Sequence, residues 1–310
     1  MIWANLLHLG YNMWYDRILT ELKEPNTNLT ASPKMRFDKA VWDDLVLKMA
    51  ESGVNMVIID LGEGVQYKSH PELAAEGAWS VEQLQEELVK LRKLGIEPIP
   101  KLNFSAMHDM WMGPYSRMVS TPKYYEVCAD LIKECIDIFD KPRFFHLGMD
   151  EETYSNQKLM KYVVIRQYDL WWHDFNFLVD QVEKNGSQTW IWSDYMWDHR
   201  DEFVEKMSKR VLQSNWYYGA SMEPENPVSQ NYVESFKVLD ANGFDQVPTG
   251  SNYNTPVNFV ELVKWCKSNV SADKLKGFMQ TPWKPTTEQH RQHHIEAIEK
   301  IAEARREFEH

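Results

Sequence analysis

Short apolar runs alternate with longer segments of helical periodicity along the whole chain. Residues 5–10, 55–61, 96–103, 144–148, 188–194, 211–216, 245–249 and 275–280 are rich in β-branched, aromatic or large apolar side chains. Each reads as a buried strand. Between them the apolar positions fall three and four apart. Val41, Leu45, Val46 and Met49 make one stripe from about residue 38, with Gly53 as its stop. Val81, Leu84, Leu88, Leu91 and Leu94 make another, opened by Ser80 as a cap and closed by Gly95. Further helices are predicted at about 122–139, 170–185, 201–209, 232–242, 257–268 and 288–308. Eight strand–helix units without a spare element or a break in composition predict a (β/α)8 TIM barrel, one domain over residues 1–310.

In such a barrel all eight strand C-termini converge on one mouth, so the residues there are the candidates for chemistry. They are Asn12 and Trp14, Asp60 and Glu63, Asn103 and His108, Asp150 and Glu151, Trp192 and Asp194, Trp216, Tyr253, and Trp283. The fourth strand carries the sharpest signal. Phe144-Phe145-His146-Leu147-Gly148-Met149 runs without charge into Asp150-Glu151-Glu152. Strand alternation puts His146, Gly148 and Asp150 on one side, and the chain is expected to leave the strand after Gly148. Adjacent carboxylates at a buried strand end push their pKa values apart, so that one acts as an acid while the other stays ionised. A solvated loop of acids is the alternative at this point. His146, ahead of the turn, reads more readily as orienting the strand through a hydrogen bond than as reacting.

Composition narrows the chemistry. Thirteen Trp, 14 Tyr and 13 Phe in 310 residues suggest ring-lined surfaces as well as core, and flat apolar rings suit pyranose faces. A formal net charge of −12 argues against nucleic acid or an anionic membrane surface as partner. No stretch approaches the roughly 20 apolar residues of a membrane span. Cys128, Cys135 and Cys266 lack metal-ligand or disulfide spacing and read as buried apolar residues. His8 stands alone on the first strand, where a metal hydrolase would cluster histidines, so no metal is expected. The loops after strands seven and eight hold Asn252-Tyr253-Asn254 and Trp283-Lys284-Pro285, not the glycines of a phosphate site. The chain opens almost inside its first strand, so any targeting segment is expected to lie outside it.

His146-Leu147-Gly148-Met149-Asp150-Glu151 resembles the H-x-G-G-D-E motif of family 20 glycoside hydrolases, the β-N-acetylhexosaminidases, with Met149 in place of the second Gly. Ile99-Pro100-Lys101-Leu102-Asn103-Phe104 with His108 resembles that family's I-P-E-I-D…G-H stretch. Trp192-Ser193-Asp194, Trp216, Tyr253 and Trp283 are similar to its aromatic positions on strands five to eight. The resemblance implies retaining, substrate-assisted hydrolysis of a terminal N-acetylhexosamine, an exception to the two-carboxylate displacement scheme. Asp150 would orient the acetamido group, Glu151 would act as general acid and base, and Tyr253 would donate to the acetamido oxygen. Asn12, Asp60, His108, His146, Trp192, Asp194, Trp216 and Trp283 would bind the sugar. No cofactor is implied, because the nucleophile belongs to the carbohydrate, and the kind of substrate suggests an extracytoplasmic setting. The departures are an absent strand-one Arg, an absent strand-eight acid, and Lys101 and Asn103 where the family has Glu and Asp. They leave open a glycosidase of altered specificity or a non-catalytic carbohydrate-binding barrel.

Overall fold

A computed structural model describes residues 1–21 and 27–309. Eight parallel strands make one sheet: β1 (Ile2–His8), β2 (Met56–Asp60), β3 (Glu97–Lys101), β4 (Phe144–His146), β5 (Gln188–Trp192), β6 (Leu212–Ser214), β7 (Thr249–Gly250) and β8 (Gly277–Gln280). Their order is β6-β5-β4-β3-β2-β1-β8-β7. Single-residue bridges of Gln213 with Gln246 and of Trp216 with Thr249 join β6 to the β7 segment and close the sheet on itself. The architecture is a (β/α)8 barrel.

The wrapping helices are α1 (Lys39–Glu51), α2 (Val81–Lys93), α3 (Pro122–Ile138), α4 (Tyr154–Gln157), α5 (Tyr168–Lys184), α6 (Tyr195–Asp198), α7 (Arg200–Lys206), α8 (Pro227–Ala241), α9 (Asn258–Asn269) and α10 (Arg291–Glu309). Local chemistry sets their starts. Ser80 accepts from the Gln83 N–H while the Gln83 side chain answers to the Ser80 N–H, a capping box that opens α2. Thr121 and Asn226 cap α3 and α8, each with Pro in the first turn, where a missing N–H costs nothing. The Asn226-Pro227 start brings α8 in five residues ahead of the position that apolar spacing alone indicates.

Strand alternation divides the core in two. Ile2, Ala4, Leu6, Met56, Ile58, Ile99, Phe144, Trp190, Leu212 and Met279 fill the barrel interior. Leu7, Val57, Ile59, Phe145 and Ile191 face outward and pack against the buried stripes of α1, α2, α3 and α5. Three strands pair regularly over only two or three residues. In β7, Pro248 has no N–H for the ladder, so regular pairing is confined to Thr249 and Gly250. In β4 the chain enters the left-handed region at Gly148 and Met149, φ 70° and 75°, and leaves the sheet. In β6 only Leu212 to Ser214 pair regularly with β5.

The register puts one polar layer below the mouth. His8 lies beside Asp60, Asp60 beside Lys101, and Lys101 beside His146 on consecutive strands. Lys101 Nζ donates to Asp60 Oδ2 at 2.5 Å, and His8 Nδ1 stands 3.4 Å from the same oxygen. All four side chains are buried.

Candidate active site

The acid pair is held by the turns that follow β3 and β4. Gly148 is required at its position, because a Cβ there would stand 2.1 Å from Asn103 Oδ1 and 2.8 Å from Asn103 Cα. Asn103 fills that space and ties the turn. Its Oδ1 accepts from the Met149 N–H and the Ser105 N–H, both at 3.1 Å, and its Nδ2 donates to Asp150 Oδ1 at 2.7 Å. Glu151 is also left-handed, φ 56°, and its N–H donates to Asp194 Oδ2 at 2.8 Å. The other Asp194 oxygen accepts from Trp216 Nε1 at 3.2 Å. One carboxyl thus fixes both the acid loop and an indole of the pocket wall.

Glu152 secures the same loop from behind. Its oxygens accept from the Ala106 N–H at 2.8 Å, from the Arg166 N–H at 2.7 Å, and from Arg166 Nε and Nη2 at 2.9 and 2.7 Å. Arg166 also reaches Asp174 Oδ2 at 3.2 Å and the Phe104 carbonyl at 2.7 Å. The buried guanidinium therefore joins the β3 loop, the β4 loop and α5.

His108 completes the acid cluster. Its Nδ1 lies 3.0 Å from the Met13 carbonyl, which only accepts, so Nδ1 carries a hydrogen. Nε2 then faces two carboxylates, Glu151 Oε2 at 3.2 Å and Asp150 Oδ2 at 3.4 Å. Burial disfavours the imidazolium, but the charges and hydrogen bonds of Asp150 and Glu151 outweigh it and raise the His108 pKa to about 10. Burial likewise opposes ionisation of Asp150, and His108, Lys101 and Asn103 outweigh it, holding that carboxyl at about 2. Asp194 goes the other way. Burial, reinforced by the charges of Asp150 and Glu151, raises it to about 8, so it keeps a proton at neutral pH. His108, Asp150 and Glu151 each offer one donor atom within 4.8 Å of the others, the spacing of a cation site. The imidazolium proton already supplies positive charge at that point.

Aromatic rings wall the space above the acids. A pocket of about 260 Å³ is lined by His108, Asp150 and Glu151 together with Trp192, Trp216, Trp283, Tyr218 and Tyr253. Met13, Trp14 and Leu29 close it from the β1 loop. The Trp192 and Trp283 centroids are 5.8 Å apart, and Trp216 stacks on Tyr218 at 5.0 Å. Trp283, at φ 51°, is locked by two hydrogen bonds: its carbonyl accepts from Tyr11 Oη at 2.8 Å, and its Nε1 donates to Tyr218 Oη at 3.0 Å. The Tyr253 ring lies at the rim beneath Lys284, whose Nζ is 4.7 Å from its centroid.

Seven of the eleven residues to which the resemblance gives catalytic or sugar-binding roles line this pocket: Asp150, Glu151, Tyr253, His108, Trp192, Trp216 and Trp283. Asn12, Asp60, His146 and Asp194 do not. Asn12 is spent within its own loop, donating to the Ser32 carbonyl at 2.6 Å and accepting from the Ser32 N–H at 2.8 Å. Asp60 lies under the floor, where burial is outweighed by the Lys101 charge and its pKa falls below the usual carboxylate value. His146 Nδ1 accepts from the Gly148 N–H at 3.0 Å, and burial with the Lys101 charge keeps the ring neutral. Asp194 sits behind Glu151 and positions it. Tyr218 escaped the sequence reading, since it follows a short strand with no motif. Its only signal is the aromatic run Trp216-Tyr217-Tyr218.

No family model and no curated protein matches this sequence. Solved structures do resemble it. An exo-β-N-acetylglucosaminidase of family GH20 from Vibrio harveyi, solved in complex with N-acetylglucosamine, superposes with a TM-score of 0.65 at 15% identity over 98% of this chain. This chain spans about half of that enzyme, 54% of its length. A Streptomyces plicatus β-hexosaminidase, solved with its product GlcNAc, gives 0.64 at 10% identity, covering 96% of this chain and 63% of the other. Dispersin B gives 0.58 at 17% identity, covering 86% of this chain and 95% of the other. The chain therefore shares its barrel fold with the β-N-acetylhexosaminidases of family GH20.

Proposed function

We propose that the protein is a glycoside hydrolase of the β-N-acetylhexosaminidase kind, acting on a terminal N-acetylhexosamine by retaining, substrate-assisted hydrolysis. The observation that carries this reading is the Asp150, Glu151 and His108 cluster inside a pocket walled by four Trp and two Tyr. The acetamido oxygen of the substrate attacks the anomeric carbon while the glycosidic bond breaks, and its electron pair leaves with the oxygen that takes the Glu151 proton. Asp150, kept ionised by His108 and Lys101, accepts the acetamido N–H and stabilises the charge that spreads onto the oxazolinium ring. Tyr253 donates to the acetamido oxygen, and Trp192, Trp216 and Trp283 enclose the methyl group. Water then attacks the anomeric carbon, gives its proton back to Glu151, and restores the acetamido group with net retention.

A second reading, a glycosidase of altered sugar specificity, is favoured by one feature. Among the described residues, Asp150 and Glu151 are the only carboxylates lining the pocket, and no Lys or Arg lines it. One assay series separates the possibilities: aryl β-N-acetylglucosaminide, β-N-acetylgalactosaminide and β-glucoside across pH 4–8, for the native chain and for Glu151→Gln. Cleavage of the acetamido sugars alone, lost about 10²-fold in the variant, is the expected result. Equal cleavage of the glucoside rules out an essential acetamido nucleophile. Binding of these sugars without turnover points to a carbohydrate-binding barrel.

A further inference from the structure

The acid cluster is spaced for a metal ion as well as for a proton. His108 Nε2 lies 3.2 Å from Glu151 Oε2 and 3.4 Å from Asp150 Oδ2, and each residue offers one ligand atom within 4.8 Å of the other two. Neither approach is as short as the roughly 2.7–2.9 Å of a charge-assisted N–H···O bond. The Nε2 proton thus serves two carboxylates and is held closely by neither. Coordination geometry meets the same spacing more fully. Two ligands about 2.0–2.1 Å from one ion stand about 3.3–3.4 Å apart in a tetrahedral site, and about 2.8–3.0 Å apart at the right angles of a square-planar or octahedral one. The 3.2 and 3.4 Å found here lie nearer the tetrahedral edge.

The surroundings orient these ligand atoms in advance. His108 Nδ1 donates to the Met13 carbonyl at 3.0 Å, which points Nε2 at the carboxylates and leaves it the nitrogen free to bind an ion. A ring N–H given to a backbone carbonyl is the usual companion of a metal-bound histidine. Asn103 Nδ2 holds Asp150 Oδ1 at 2.7 Å and leaves Oδ2 for the ion. His108 and Asp150 are buried, and all three residues line the pocket, so the fourth position of a tetrahedron opens into it. One imidazole and two carboxylates are a donor set that zinc accepts. Magnesium and calcium ask for a shell of oxygens, and the imidazole stands against them.

We infer that His108, Asp150 and Glu151 form a zinc-binding site, and that a zinc ion seated there inhibits the enzyme by occupying its acid cluster. The ion takes the place of the Nε2 proton, which passes to solvent, and brings two charges to two carboxylates where the imidazolium brought one. Glu151, bound to the ion, no longer hands a proton to the leaving oxygen. Asp150, with one oxygen on Asn103 and the other on the ion, no longer accepts the acetamido N–H. The inhibition rests on the glycosidase reading above; the binding of zinc does not.

The test titrates zinc chloride calorimetrically into the metal-stripped chain and its variants at pH 7. One ion per chain is expected. Losing the outer partner in Asn103→Ala should weaken it about 10–100-fold, and losing a ligand in His108→Phe by more than that. Where His108→Phe does not fold by circular dichroism, His108→Gln takes its place. His70→Gln is the control: His70 also stands between two carboxylates, Glu72 at 3.0 Å and Asp130 at 3.4 Å, but on opposite ring nitrogens that cannot share an ion. It should bind zinc as the native chain does, and magnesium chloride should bind to none. Cobalt chloride in place of zinc should give the intense visible bands of a four-coordinate site. Absence of zinc binding, equal binding by the His108 variant, or the weak spectrum of octahedral cobalt overturns the site. On aryl β-N-acetylglucosaminide, zinc should abolish turnover and a chelator restore it, and full activity with the site loaded overturns the inhibition. If the native chain cleaves no glycoside, the glycosidase reading fails by itself and the titration still decides the site.

Discussion

His108 Nε2 stands 3.2 Å from Glu151 Oε2, while its Nδ1 is spent on the Met13 carbonyl. The ring cannot turn without losing one contact or the other, so its positive charge is fixed between Glu151 and Asp150. Replacing it by Phe leaves Asp150 and Glu151 facing each other with Asp194 behind, and no cation between them. His108→Phe is expected to lower kcat by about 10²-fold, the scale of a lost acid–base partner. His108→Gln restores a neutral donor at that point without the charge, and is expected to recover only part of the loss. Steady-state kinetics on the aryl acetamido glycoside checks both, with circular dichroism to show that the fold survives.

Stability should fall as pH rises from mild acid toward pH 9. Burial raises Glu63 and Asp109 to about 7 and, with two neighbouring carboxylates, Asp194 to about 8. These groups have ordinary values of 3.8 to 4.5, so the native state binds more protons than the unfolded chain between those values and the raised ones. The stabilisation is complete below the ordinary value and is lost as pH climbs through 7 to 8. His108, raised from 6.5 to about 10, extends the decline. Asp150, lowered to about 2, acts oppositely: its contribution is present above 3.8 and is lost as pH falls through 2. Thermal melts from pH 3 to 10 should show the highest Tm in mild acid and a drop toward pH 9. Glu63→Gln keeps the oxygen that accepts from the Tyr11 and Asn12 N–H groups, and should flatten the curve between pH 4.5 and 7. A Tm that climbs steadily to pH 9 would contradict the argument.

The barrel was legible because its elements repeat a physical pattern: continuous apolar runs for strands covered on both faces, and 3.6-residue stripes for the helices over them. The mouth was legible for the same reason, since the topology alone decides which residues meet there. Contacts made across long sequence distance were not. Asn12 looked like a mouth residue, but a loop side chain more readily satisfies its own turn, and Ser32, twenty residues on, supplied both partners. His146 and Asp60 share one interior layer with Lys101, a consequence of strand register that no spacing reveals. Met149 occupies a left-handed position where the resembling motif has Gly. Its side chain is buried in the outer core, which offsets the strain of the backbone.

The Arg166 clamp gives a sharp stability test. Its guanidinium is 2% exposed as a residue and balances two buried carboxylates, Glu152 and Asp174. Removing it leaves both without a counter-charge. Arg166→Met is expected to cost roughly 3–5 kcal/mol, the usual range for breaking a buried pair from one side. Glu152→Gln retains an oxygen for the Arg166 N–H and leaves the guanidinium opposite Asp174, so about 1–3 kcal/mol is expected. Urea unfolding of the three proteins checks the order. Equal losses for the two variants would show that Glu152, and not the uncompensated charge, dominates.

Gly148 carries the last prediction, because three separate requirements meet at one atom. Its φ of 70° disfavours any Cβ, the space where a Cβ would go is filled by the Asn103 side chain, and that side chain holds Asp150 Oδ1. Alanine must therefore push Asn103 aside, and the Asn103 backbone, 2.8 Å away, cannot follow as a flexible side chain would. The loss should exceed the roughly 1–3 kcal/mol of a strained dihedral alone, since the hydrogen bond to Asp150 goes with it. Catalysis should suffer beyond stability. With Asn103 displaced, Asp150 loses one of the groups that keep it ionised, and the acidic limb of the pH–rate profile should move upward. Asn103→Ala in the glycine background separates the two effects: it frees the space, so the backbone stays relaxed, while the acidic limb still shifts. If Gly148→Ala destabilises the fold and leaves that limb unmoved, Asn103 is structural filler and has no part in setting Asp150.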